Sequence, residues 1–66
     1  MALPNIEIER IRHGMSKSDL ADMLGVTPRT IRNWQNGKTT VPLSKLMIMS
    51  KTWDVSIDYL IGLSDT

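Results

Sequence analysis

Leu24-Gly25-Val26-Thr27-Pro28-Arg29-Thr30-Ile31-Arg32-Asn33-Trp34-Gln35-Asn36-Gly37-Lys38 reads as a tight turn feeding a short helix with two unlike faces. Gly25 can take the left-handed backbone conformation that closes one helix. Thr27 can cap the next helix through its hydroxyl. Pro28 suits that helix's first turn, where a backbone N–H would lack a partner anyway. Ile31 and Trp34 are three apart and share one side. Pro28, Arg29, Arg32 and Asn33 fall at i, i+1, i+4 and i+5, on the other side. A short helix anchored by apolar residues and exposing an Arg/Arg/Asn side has the donors and acceptors that reading base edges requires.

The flanking sequence supplies a scaffold for this helix, predicted over 28–35. Upstream, Ser16-Lys17-Ser18-Asp19 matches a Ser-x-x-acid capping pattern. It opens a second helix over 17–24 whose apolar side is Leu20, Ala21 and Leu24, and Asp19 complements the positive end of that helix. Before it, Leu3, Ile6, Ile8 and Ile11 mix with Glu7, Glu9, Arg10 and Arg12 at a spacing that predicts a first helix over 4–13. Pro4 lies in its opening turn and His13-Gly14 at its end. Downstream, Asn36-Gly37 stops the third helix, and Lys38 to Pro42 form a loop. A fourth helix follows over 44–53, with Ser44 as a candidate cap and Leu43, Leu46, Met47, Ser50 and Trp53 on one face. Ser56 caps a short fifth helix over 57–61 that carries Ile57, Leu60 and Ile61. Leu63 to Thr66 reads as a frayed tail. No stretch alternates as a strand should. The fold class is therefore all-α: five short helices in one domain over 1–66.

Length and composition exclude much else. A chain of 66 residues allows one small domain, stable only with good packing or a partner. It has no cysteine, hence no disulfide and no thiolate metal site, and the single His13 offers no ligand cluster. A cysteine-free chain fits a reducing cytoplasm. The longest apolar run is far too short for a membrane span, and the N-terminus lacks a signal pattern. No nucleophile–base set suggests an enzyme, and nothing calls for a cofactor or a small-molecule substrate. The net charge is only +1, but its distribution is uneven. No Asp or Glu occurs between Asp22 and Asp54, a gap that holds Arg29, Arg32, Lys38, Lys45 and Lys51. Asp54, Asp58 and Asp65 follow it. This pattern suggests one basic face and one neutral or acidic face, against the alternative of ordinary solvated surface charge.

Taken together, these residues resemble a helix-turn-helix domain of the lambda-repressor and Cro type, the Xre family, over about Ile6 to Gly62. Ser16-Lys17-Ser18-Asp19-Leu20-Ala21 is similar to the family's opening of the second helix, and Leu24-Gly25-Val26 to its inter-helix turn. Ile31-Arg32-Asn33-Trp34-Gln35-Asn36-Gly37-Lys38 resembles the family's third-helix ending. Val55-Ser56-Ile57-Asp58-Tyr59-Leu60-Ile61-Gly62 resembles its closing helix. The resemblance implies a sequence-specific binder of a double-stranded DNA operator, acting as a homodimer and as a transcriptional repressor or regulator of phage or prophage type. In that geometry the third helix enters the major groove and the second crosses the phosphate backbone. The alternative on the same fold is a protein-interaction module, such as an antirepressor or antitoxin subunit.

The candidate base contacts are Thr27, Pro28, Arg29, Thr30, Arg32 and Asn33. Arg29 and Arg32 can each donate two hydrogen bonds to guanine, and the alternative for either is a phosphate contact. Asn33 can pair with adenine or cap the helix end. Thr27 and Thr30 can touch phosphate or a thymine methyl. Pro28 stands where many relatives present a polar side chain, so it offers only an apolar contact. The candidate phosphate contacts are Arg10, Ser16, Lys17, Asn36, Lys38 and Thr40. Lys17 replaces a Gln common in the family and would act as a point charge. Gln35 replaces a Glu that pairs in relatives with an Arg matching Arg10. Arg10 is thus expected to lack a charged partner, and to bond Gln35 or turn to a phosphate. Asp54 sits where relatives often have Gly, a conformation that Asp adopts at some cost. Trp34 and Trp53 are expected in the core rather than stacked on a base, and Met15, Met23, Met47 and Met49 as core or rim fillers. Met47, Ile48, Ile57, Tyr59 and Ile61 add apolar surface beyond what one face needs, an expected part of a dimer interface.

Overall fold

Capping chemistry sets the helix boundaries in the middle of the chain. A computed structural model describes residues 4–63. Its helices are α1 (Pro4–Arg12), α2 (Lys17–Leu24), α3 (Pro28–Gln35), α4 (Leu43–Trp53) and α5 (Ile57–Leu60), with no strand among the described residues. The bounds of α2 and α3 coincide with those the sequence predicts, and the other three differ by one residue at one end. Leu3 and the tail from Ser64 to Thr66 lie outside the described residues.

Ser16 and Asp19 form a reciprocal capping box. The Asp19 N–H donates to Ser16 Oγ at 3.0 Å, and the Ser16 N–H donates to Asp19 Oδ2 at 2.9 Å. Thr27 Oγ1 accepts the Thr30 N–H, and Ser56 Oγ accepts the Tyr59 N–H. The fourth helix departs from expectation. It begins at Leu43 with Pro42 in the cap position and no side-chain cap, so Ser44 lies inside the helix. At its other end Asp54 adopts the left-handed conformation (φ 54°, ψ 46°) that glycine would take more readily.

The core gathers residues from all five helices: Ile6, Leu20, Ala21, Leu24, Ile31, Trp34, Leu46, Met49, Trp53 and Leu60. The inner helix α2 packs on α3 and on α4, while α5 packs on α1 and on α4. Both tryptophans are buried, as expected of core residues. The rotations of α1 and α4 differ from the sequence reading. In α1, Ile8 and Ile11 are 48% and 63% exposed, and Glu9 is buried instead. Its carboxylate accepts from the Tyr59 hydroxyl at 2.9 Å and lies 3.2 Å from the Arg12 guanidinium, so the buried charge has partners on α1 and α5. In α4 the buried row is Leu46, Met49 and Trp53, whereas Leu43 and Met47 are exposed. Met15 and Met23 pack half-buried at the rim. On α5 and its exit, Ile57, Tyr59 and Ile61 also pack half-buried against the core. Their apolar surface is largely used within the chain, so of the five residues expected at a dimer interface only Met47 and Ile48 are exposed.

Two carboxylates couple this fold to pH. The guanidinium of Arg10 hydrogen-bonds Glu7 and, with the Gln35 amide, holds its carboxyl below the usual range. The Ser16 backbone N–H, with the Ser16 hydroxyl, does the same for Asp19. Because the folded chain binds these protons less readily than the unfolded chain, the associated stability is complete above the unfolded carboxylate range. It is lost as pH falls through the folded values. Thermal unfolding followed by circular dichroism should therefore show a lower Tm on acidification below about pH 4. Asp19→Asn should reduce that acid-dependent drop. A Tm equal at pH 7 and at acid pH would remove both carboxylates from the account.

Candidate nucleic-acid interface

The turn between α2 and α3 places one helix end against the start of the next. Gly25 closes α2 at φ 69°, and its N–H is shared between the Ala21 and Asp22 carbonyls. The Val26 N–H then reaches back to the Ala21 carbonyl at 2.9 Å. A β-carbon on Gly25 would meet nothing within 4 Å, so the positive φ, and not space, calls for glycine here. Thr27 follows in extended conformation and caps α3, with Pro28 in the first turn as the sequence indicates.

Within α3, Ile31 and Trp34 are buried while Thr27, Pro28, Arg29 and Arg32 are exposed and Thr30 and Asn33 half-buried. Arg29, Arg32 and Asn33, at i, i+3 and i+4, form one patch on the side of the helix opposite Ile31 and Trp34. The Thr27 and Thr30 hydroxyls lie 3.1 Å apart and bond each other, so their first use is local. The Asn33 side chain makes no hydrogen bond among the described residues, and the capping alternative is not realised. Its backbone carbonyl instead accepts the Lys38 N–H at 2.9 Å. Beyond it Asn36 stays in helical conformation and Gly37 turns the chain at φ 74°. Asn36, Lys38 and Thr40 are exposed around this exit, and Ser16 and Lys17 are exposed at the start of α2. Among the described residues no carboxylate lies within 4.0 Å of the charged groups of Lys17, Arg29, Arg32 or Lys38. These four cations therefore remain available to an external anion.

Arg10 is different. The expectation that it lacks a charged partner is overturned: its side chain is only 13% exposed and its guanidinium pairs with Glu7 through both Nε and Nη2. Nη1 donates to the Met15 carbonyl at 2.5 Å. With its donors directed inward, Arg10 is poorly placed to reach a phosphate. Gln35 bonds Glu7 and not Arg10. The sequence reading missed Glu7, although the Glu-x-x-Arg spacing from Glu7 to Arg10 was visible as an i, i+3 pair on a helix.

The rest of the surface offers little competing chemistry. Among the described residues no cluster of three or more His, Cys, Asp or Glu could hold a metal ion, and no helix is long and apolar enough to cross a membrane. The shallow depression between Ile6, Glu7, Ile31, Trp34 and Gln35 is the α1–α3 seam.

Comparison with known proteins agrees with this geometry. A family model described as helix-turn-helix matches residues 6–60. An uncharacterized HTH-type transcriptional regulator of Bacillus subtilis (strain 168), YobD, is 32% identical over 56 residues, 85% of this chain and 50% of that protein. A crystal structure of a transcriptional regulator from Listeria innocua superposes with a TM-score of 0.83 at 28% identity, over 91% of this chain and 56% of that one. The chain thus spans about half the length of these relatives.

Proposed function

We propose, from the premise that the chain belongs to the helix-turn-helix family, that it binds double-stranded DNA sequence-specifically and regulates transcription. One observation carries this reading: α3 exposes Arg29 and Arg32, without a carboxylate partner among the described residues, on the side opposite its buried Ile31 and Trp34. In the proposed complex α3 lies in the major groove. Arg29, Arg32 and Asn33 read bases, while Pro28, Thr27 and Thr30 contribute contacts to methyl groups or the backbone. Ser16, Lys17, Asn36, Lys38 and Thr40 contact phosphates on either side. Arg10 is left out of this set.

The finer reading is a phage-type repressor acting as a homodimer on a near-palindromic operator. Two copies of α3 would then sit about 34 Å apart, one turn of duplex. The exposed Met47 and Ile48 of α4 support a contact between copies.

Selection from a random duplex library, followed by fluorescence anisotropy on the selected and on a random duplex, tests the proposal. Lys38→Ala should weaken binding to both duplexes alike and lower the slope of log K against log salt by about one. An unchanged slope would remove Lys38 from the phosphate contacts. Failure of the unaltered chain to bind any duplex at low salt would overturn DNA binding and favour the protein-interaction module.

A further inference from the structure

Two helices, α1 and α3, meet at one carboxylate. Glu7 of α1 accepts from Arg10 through both of its oxygens and from the Gln35 amide through Oε2. Arg10 in turn holds the carbonyl of Met15, the residue before the α2 cap Ser16. Gln35 is the last residue of α3 and precedes Asn36. The path Met15–Arg10–Glu7–Gln35 therefore joins the start of α2 to the end of α3. These are the two places where the proposed phosphate contacts lie, Ser16 and Lys17 on one side and Asn36 and Lys38 on the other.

We infer that Glu7 and Gln35 are positioning residues that fix the spacing between these two groups, so that both engage phosphates at once. The inference rests on the DNA-binding reading above. Neither Glu7 nor Gln35 need touch DNA for this. Side chains at helix ends swing easily, and a phosphate contact formed a few ångströms out of place is replaced by water and counterions. The charge arrangement suits the role. The carboxylate sits on α1, neutralised by Arg10, while α3 contributes a neutral amide. The end of α3 is tied down without a negative charge beside the phosphates that Asn36 and Lys38 would meet. The half-buried Gln35 also covers the seam over Ile6, Ile31 and Trp34.

The test removes the bond but no charge. Gln35→Met keeps the length and apolar stem of the side chain and loses the amide. Its affinity for the selected duplex should fall about threefold to tenfold, and its salt slope should drop by about one although every cation is still present. A role in folding alone would lower Tm but leave the slope unchanged at temperatures where circular dichroism shows the variant folded. Gln35→Ala should repeat the result, which guards against an effect of the methionine itself. An unchanged slope in a folded variant overturns the inference. If the unaltered chain binds no duplex, the DNA-binding reading fails first, and the two failures are told apart.

Discussion

Trp34→Ala should cost this domain about 3–5 kcal/mol of stability, the range for removing a large buried aromatic side chain. A chain of 66 residues is held by only about 3–10 kcal/mol in total. The variant should therefore be largely unfolded or melt far below the parent, as read by far-UV circular dichroism and urea titration. The position explains the size of the effect. Trp34 and Ile31 are the buried residues of α3, so the indole is one of the two apolar anchors of that helix. It also lines the seam to α1 with Ile6. DNA binding should be lost together with the fold. Trp34→Phe should retain most of both, because it keeps an aromatic ring in the same site. Arg32→Ala, exposed on the opposite side of the same helix, should leave Tm nearly unchanged. If Trp34→Ala unfolded at the same urea concentration as the parent, α3 would have to be anchored by something other than its apolar side.

The contrast between α3 and α4 shows what was legible in the sequence. The α2–turn–α3 unit is specified by chemistry between residues at most five apart. Ser16 with Asp19, Gly25 with Ala21, and Thr27 with Thr30 each make the bond that their spacing announces. Such signals survive without knowledge of what packs on them. In α4 the run from Leu43 to Met49 carries Leu43, Leu46, Met47, Ile48 and Met49. Apolar residues lie nearly all the way round, so periodicity alone cannot choose the rotation. Packing on α2 and α5 selects Leu46, Met49 and Trp53. Glu9 was illegible for a related reason. A carboxylate enters the interior because Tyr59, fifty residues away, supplies a hydroxyl to it. Arg10 was misread in the opposite way, since a distant partner at position 35 was sought while Glu7 stood one turn earlier on the same helix. The exposed side of α3 was legible, because exposure there follows directly from which two residues are buried.

Arg29→Ala should weaken binding to the selected duplex by about 1–3 kcal/mol, roughly fivefold to 150-fold, and relax the preference at one base pair. Its binding to random duplex should fall less. Pro28 offers no hydrogen-bond donor at the front of α3, so in the proposed complex base discrimination should fall mainly on Arg29, Arg32 and Asn33. Loss of the first of these has no neighbouring substitute. Truncation to alanine by itself confounds two roles, because it removes a positive charge as well as a planar fork. Arg29→Lys separates them. It keeps the charge, so attraction to phosphates and the salt slope should be close to those of the parent. It loses the paired donors that fit guanine O6 and N7, so discrimination should fall nearly as far as with alanine. If lysine instead restored discrimination together with affinity, Arg29 would be a phosphate contact. Asn33, whose side chain has no partner among the described residues, would then be the stronger candidate for reading bases beside Arg32. Equal losses on selected and random duplex in the alanine variant would lead to the same reassignment.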